Sequence, residues 1–123
     1  MEKMKKLPNT EFDVMAVIWE LEAPIAANTV LKYSDKKYKI QTLITVMMRL
    51  VNKGFLRTEK IGKDRVYYPI VNKEDYLKFE TNSFIRQYHK NSLLNLVNTL
   101  NDAETLTDED IAGLVQWVKE RGK

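Results

Sequence analysis

A mainly α-helical chain carrying one small β-hairpin is predicted by three features of the sequence. Apolar residues recur at helical spacing through Phe12, Met15, Ile18 and Trp19, and again through Leu43, Val46, Met47 and Leu50. Over 55–71 the period changes to alternation around a glycine. From residue 72 onward helical spacing returns, with Ile111, Leu114, Val115 and Val118 at i, i+3, i+4 and i+7.

Composition narrows what such a chain can be. With 123 residues, 44% of them hydrophobic, it can build one compact domain, or a small domain plus an association arm that needs a partner. No apolar run is long enough to span a bilayer, and the start, Met1-Glu-Lys-Met-Lys-Lys-Leu-Pro8, lacks the apolar core of a signal peptide. A cytoplasmic protein without membrane insertion is expected. The absence of cysteine excludes disulfides and thiolate metal sites, and the single His89 cannot form a histidine cluster, so neither metal nor any other cofactor is expected. Net charge is +3 with a sequence pI near 9.0. Lys and Arg are in excess over residues 1–71, whereas acids outnumber them from 72 on. A basic first half suits a polyanion.

In chain order, Asn9 and Thr10 are candidate caps after Pro8, and Glu11 and Asp13 sit where the dipole of a helix over roughly 10–21 favours negative charge. Pro24 breaks the chain. A second helix is predicted over 26–34, anchored by Ile25, Val30 and Leu31, and Ser34-Asp-Lys-Lys37 forms a polar turn. The third helix, 39–53, turns Leu43, Val46, Met47 and Leu50 to a core, while Gln41, Thr42, Thr45 and Arg49 point elsewhere. Gln suits adenine in the major groove, Thr suits phosphate or thymine, and Arg suits phosphate or guanine. Taken alone, the segment reads as an ordinary amphipathic helix with a solvated face. Its neighbours change that reading, because helix, helix, turn, helix is the helix-turn-helix order. Gly54 is predicted to cap the third helix, with Lys53 in its last turn.

Phe55–Ile61 and Arg65–Val71 then read as two strands about a tight turn at Gly62-Lys-Asp64, a ribbon placed where a wing would be. Lys60, Lys63 and Arg65 crowd its tip. Such lysines can simply blunt an exposed edge, but beside a polar helix they offer a second cationic surface for phosphates. A winged helix-turn-helix domain over 1–71 is therefore predicted. The remainder, 72–123, is predicted as a helical dimerisation domain of three short helices. One starts at Asn72 with Asp75 as its partner, one is capped by Asn91 or Ser92, and one starts with the Thr107/Asp110 pair. Three short helices cannot bury Phe84, Ile85, Tyr88, Leu93, Leu96, Leu100, Ile111, Leu114, Val115 and Val118 alone, so a second copy in an isologous dimer is expected. The weaker alternative is a monomer whose arm folds back on the first domain.

Catalysis finds no support. His89 lies among Arg86, Gln87, Tyr88 and Lys90 and reads as solvated, and there is no phosphate-binding glycine loop, no nucleophile constellation and no pair of carboxylates in an apolar pocket. Two other classes compete with a DNA binder. One is a ligand-sensing regulator with a pocket lined by Trp19, Trp117 and tyrosines. The other is a protein-interaction adaptor, which would lack the steep salt dependence of DNA binding.

The run Leu7-Pro-Asn-Thr-Glu-Phe-Asp-Val-Met-Ala-Val-Ile-Trp19, the Thr42…Thr45…Arg49-Leu50 helix ending Asn52-Lys53-Gly54-Phe-Leu56, and the Tyr67-Tyr68 strand resemble the BlaI/MecI/CopY family of penicillinase, methicillin-resistance and copper-transport repressors over nearly the whole chain. The resemblance implies a homodimeric winged-helix repressor that sets residues 39–53, from Lys39 on, in the major groove of a palindromic operator. Thr42 and Thr45 match positions that meet DNA. Gln41 stands where a basic residue is common, and Ile44 and Met48 where some members carry Arg and Thr. Copper-responsive members end in a cysteine cluster, which this cysteine-free chain lacks. Antibiotic-responsive members are inactivated when a membrane sensor and protease system leads to cleavage of the arm at an Asn-Phe bond. The matching stretch, 91–101, has no phenylalanine, and Asn95-Leu96 or Thr99-Leu100 are its nearest equivalents.

Overall fold

The computed structural model describes residues 4–35 and 37–122. Six helices and a three-stranded antiparallel sheet follow in the order α1 (Asn9–Trp19), β1 (Ile25–Ala26), α2 (Ala27–Tyr33), α3 (Ile40–Asn52), β2 (Leu56–Ile61), β3 (Asp64–Pro69), α4 (Lys73–Tyr88), α5 (Leu93–Asp102) and α6 (Asp108–Arg121). The mainly α class and the winged helix-turn-helix order are as expected.

Two expected boundaries shift for local reasons. Pro8, not Asn9 or Thr10, occupies the cap position of α1, and its carbonyl accepts from the Phe12 N–H at 2.9 Å, so both polar residues fall inside the helix. At the other end Glu20 and Leu21 bond to carbonyls three residues back, tightening the chain so that α1 stops at Trp19. Ile25, expected as a helix anchor, lies in β1, where it pairs with Tyr67 while Ala26 pairs with Val66. Two residues are too few for alternation to show, so only the sheet itself reveals this strand. The sheet order is β1-β3-β2.

Chain contacts divide the protein into two compact units, one ending at Glu80 and one beginning at Thr81. The first has a continuous core. Val14, Met15 and Ile18 of α1, Val30 of α2, and Leu43, Val46, Met47 and Leu50 of α3 are buried with Phe55, Leu56 and Tyr67 of the hairpin. At about 25 cal/mol per Å² of apolar surface removed from water, this shared burial is the main force seating α3. The division falls after the first two turns of α4 because Tyr76 is drawn into an aromatic cluster with Phe12, Trp19, Phe55 and Phe79. Its hydroxyl accepts from the Leu7 N–H at 2.9 Å and donates to Glu80 at 3.0 Å.

The second unit differs sharply. No side chain of α5 or α6 is buried. His89, expected to be solvated, is only 6% exposed. Lys90 and Asn91 both adopt left-handed backbone (φ 51° and 59°), which turns the chain back so that Asn95 Oδ1 meets His89 Nδ1 at 2.7 Å. The caps follow the sequence closely. Ser92 caps α5 by accepting from the Asn95 N–H, and Thr107 with Asp110 forms a complete capping box on α6. Among the described residues no helix is long and apolar enough to cross a membrane.

Candidate nucleic-acid interface

Helix α3 presents two faces of opposite character. Leu43, Val46, Met47 and Leu50 are 0–3% exposed. Gln41, Thr42, Thr45, Arg49 and Asn52 are exposed, and at 3.6 residues per turn they fall within an arc of about 100° on the opposite side. Ile44 and Met48 border that arc half-buried, and Met48 packs on the core. The Thr45 hydroxyl donates to the Gln41 carbonyl at 3.0 Å, so the side chain is held on the helix with its proton already engaged.

The end of α3 is fixed tightly. Gly54 adopts φ 84°, its N–H bonds the Val51 carbonyl at 3.0 Å, and the Phe55 N–H bonds the Leu50 carbonyl at 2.9 Å. This is the Schellman arrangement, with Phe55 and Leu50 both buried beneath it. The chain then enters β2 directly, so the polar helix and the hairpin are joined by one capped turn. Lys53, expected in the last turn of the third helix, stands at its C-cap and carries its ammonium to the buried carboxylate of Glu11.

The hairpin closes through Gly62 and Lys63 alone, a shorter loop than expected. Gly62 has φ 63° and Lys63 a negative φ, the pattern of a type II′ turn. The register sets Lys60 directly opposite Arg65, and both are exposed. Facing like charges destabilise a strand pair by tenths of a kcal/mol, roughly, and an anion would relieve them. On the other face of the ribbon charge is neutralised. Arg57 stacks on the Tyr68 ring at 4.1 Å, lies 3.5 Å from Glu59, and Tyr68 donates to Glu59 at 2.6 Å. That hydrogen bond, with Glu59 nearby, raises the Tyr68 pKa. Lys39, Arg49, Lys60, Lys63 and Arg65 have no carboxylate partner among the described residues.

Sequence reading missed two pairings. Arg57 and Glu59 looked like ordinary strand polar residues, and only the register joins them to Tyr68. The Glu11–Lys53 pair spans 42 positions, beyond any local pattern. Trp19 packs edge-on to Phe12 and donates its Nε1–H to the Val71 carbonyl at 3.0 Å, while Trp117, in the other unit, lines a cavity with Leu93, Leu106 and Leu114. The described residues contain no group of three or more His, Cys, Asp or Glu suited to a metal.

Taken together, a buried-stripe helix with an exposed polar face, its capped exit and a cationic ribbon define a winged-helix DNA-binding protein. Comparison with known proteins agrees. Residues 7–120 match the penicillinase repressor family. The chain is 30% identical to the penicillinase repressor of Bacillus licheniformis over 122 residues, covering 98% of this chain and 94% of that one. It is 29% identical over 115 residues to the methicillin resistance regulatory protein MecI of Staphylococcus aureus, covering 91% and 92%. Among solved structures, the DNA-binding domain of the repressor BlaI matches with 33% identity and a TM-score of 0.52, over 62% of this chain and 94% of that domain. The chain belongs to the penicillinase repressor family, whose members are DNA-binding transcriptional repressors and not enzymes.

Proposed function

We propose that the protein represses transcription as a cytoplasmic homodimer on a palindromic operator, each subunit laying α3 in the major groove. Gln41, Thr42, Thr45 and Arg49 meet base edges and the adjoining backbone, and Lys39, Lys60, Lys63 and Arg65 hold phosphates. The observation that carries this reading is the exposed polar face of α3, without carboxylate partners among the described residues and continuous through Gly54 with a ribbon that sets two cations opposite one another. Half-sites should lie about 10 base pairs, or a multiple, apart. Footprinting the purified protein on its own upstream region tests this: two protected half-sites at that spacing are expected, with affinity falling steeply as salt rises. Uniform protection, or binding indifferent to salt, would refute it.

Pairing through the second unit is supported by what that unit leaves uncovered. Phe84, Tyr88, Leu93, Ile111, Leu114, Val115 and Val118 are 43–66% exposed, and Ile85, Leu96 and Leu100 are half-buried. Apolar surface on this scale marks an interface. Release by a sensor-linked protease, cutting at Asn95-Leu96 or Thr99-Leu100, extends the proposal. Both bonds lie inside α5, so the cut requires that helix to open locally. A fragment ending near 95–100 in derepressed cells is the expected result, and an intact chain there would refute it.

A further inference from the structure

We infer that Glu11 and Lys53 are positioning residues: their part-buried ion pair fixes the rotation of α3, and thereby sequence discrimination, beyond any contribution to stability. The inference rests on the DNA-binding reading above. Glu11 stands in the first turn of α1 and is 5% exposed. Lys53 is the residue that caps the C-terminal end of α3, and its Nζ lies 2.5 Å from Glu11 Oε1.

The geometry explains why such a tether matters here. The contacts that seat α3 are apolar, and apolar burial is non-directional, so it resists withdrawal of the helix more than rolling about its axis. At the opposite end Lys39, at the N-cap, makes no side-chain capping bond. A charge-assisted hydrogen bond is directional, and because the Glu11 carboxylate is buried, losing Lys53 would leave that charge without a partner. A groove-facing side-chain tip lies about 6 Å from a helix axis, so a roll of about 10° moves it by about 1 Å. That displacement is enough to spoil a hydrogen bond to a base edge, whose useful range is only about 0.5 Å wide. Contacts to phosphates, which read charge at longer range, would tolerate it.

The test separates position from stability by replacing the pair with apolar residues of similar length. In Glu11→Met/Lys53→Met the net charge is unchanged, so the salt slope should equal that of the wild-type protein. The thermal midpoint should match or exceed wild type, since buried pairs are often replaceable in this way. The ratio of operator to non-operator affinity, measured by fluorescence anisotropy at one salt concentration, should nevertheless fall at least tenfold. Lys53→Arg, which keeps the pair, should hold the ratio within about threefold. A double variant with wild-type discrimination would overturn the inference. If the double variant does not fold, Lys53→Met is read at a temperature where circular dichroism shows it folded, and an undiminished ratio there overturns it equally. Wild-type protein with no preference for any DNA sequence would refute the function instead, leaving a distinct signature.

Discussion

At the level of single residues, Thr45 is the position where chemistry and exposure meet. Its hydroxyl proton is engaged with the Gln41 carbonyl, so the oxygen can only accept toward DNA while the methyl group is free to meet a thymine. Thr45→Val should therefore keep operator affinity within about threefold, whereas Thr45→Glu should abolish binding with the thermal midpoint unchanged; anisotropy titrations and circular dichroism check both. Lys63→Ala should weaken all DNA sequences alike and lower the salt slope by about one. Tyr76 carries a different kind of expectation. Burial, and its hydrogen bond to Glu80, push its hydroxyl above the ordinary 10.0, against the opposing effect of the Leu7 N–H. A folded-state value above the unfolded one gives stability that is complete below pH 10 and lost as pH rises through the raised value. Unfolding midpoints should thus fall on the alkaline side, and less steeply in Tyr76→Phe.

Among the elements, α3 and its exit were the most legible in the sequence. The i, i+3, i+4, i+7 stripe named all four buried residues correctly, and Gly54 marked the end that its left-handed backbone now explains. Gly54→Ala should cost about 1–2 kcal/mol, since an L-residue is strained at that φ, and urea unfolding would measure it. The capping box of α6 was equally plain, because Thr107 and Asp110 signal through spacing alone. What stayed hidden was non-local. A strand of two residues has no period, and its pairing with β3 depends on a partner about 40 positions away, roughly the separation at which only the folded chain carries information. His89 misled for a related reason. Its polar neighbours imply solvent, yet two successive left-handed residues reverse the chain and cover it.

For the molecule as a whole, composition alone implied a basic reading half and an acidic associating half, and the family match agrees with the first. The point of division was less legible, since α4 runs unbroken from Lys73 to Tyr88 across it and helical periodicity cannot tell which turns serve which unit. Leu114→Asp, placed on an exposed apolar face, should shift the protein to monomers in analytical ultracentrifugation and weaken operator binding more than half-site binding.

That shared helix has a consequence for how repression would end. Because Tyr76 anchors the opening turns of α4 among Phe12, Trp19 and Phe55, severing the chain further along leaves the reading half whole. On the proposed homodimer, such a remnant would still recognise one arm of its site, but alone, so the joint hold of two arms would collapse to the grip of one. Derepression would then come from lost avidity in a protein that has not unfolded, and its sharpness would be set by how many copies the cell keeps.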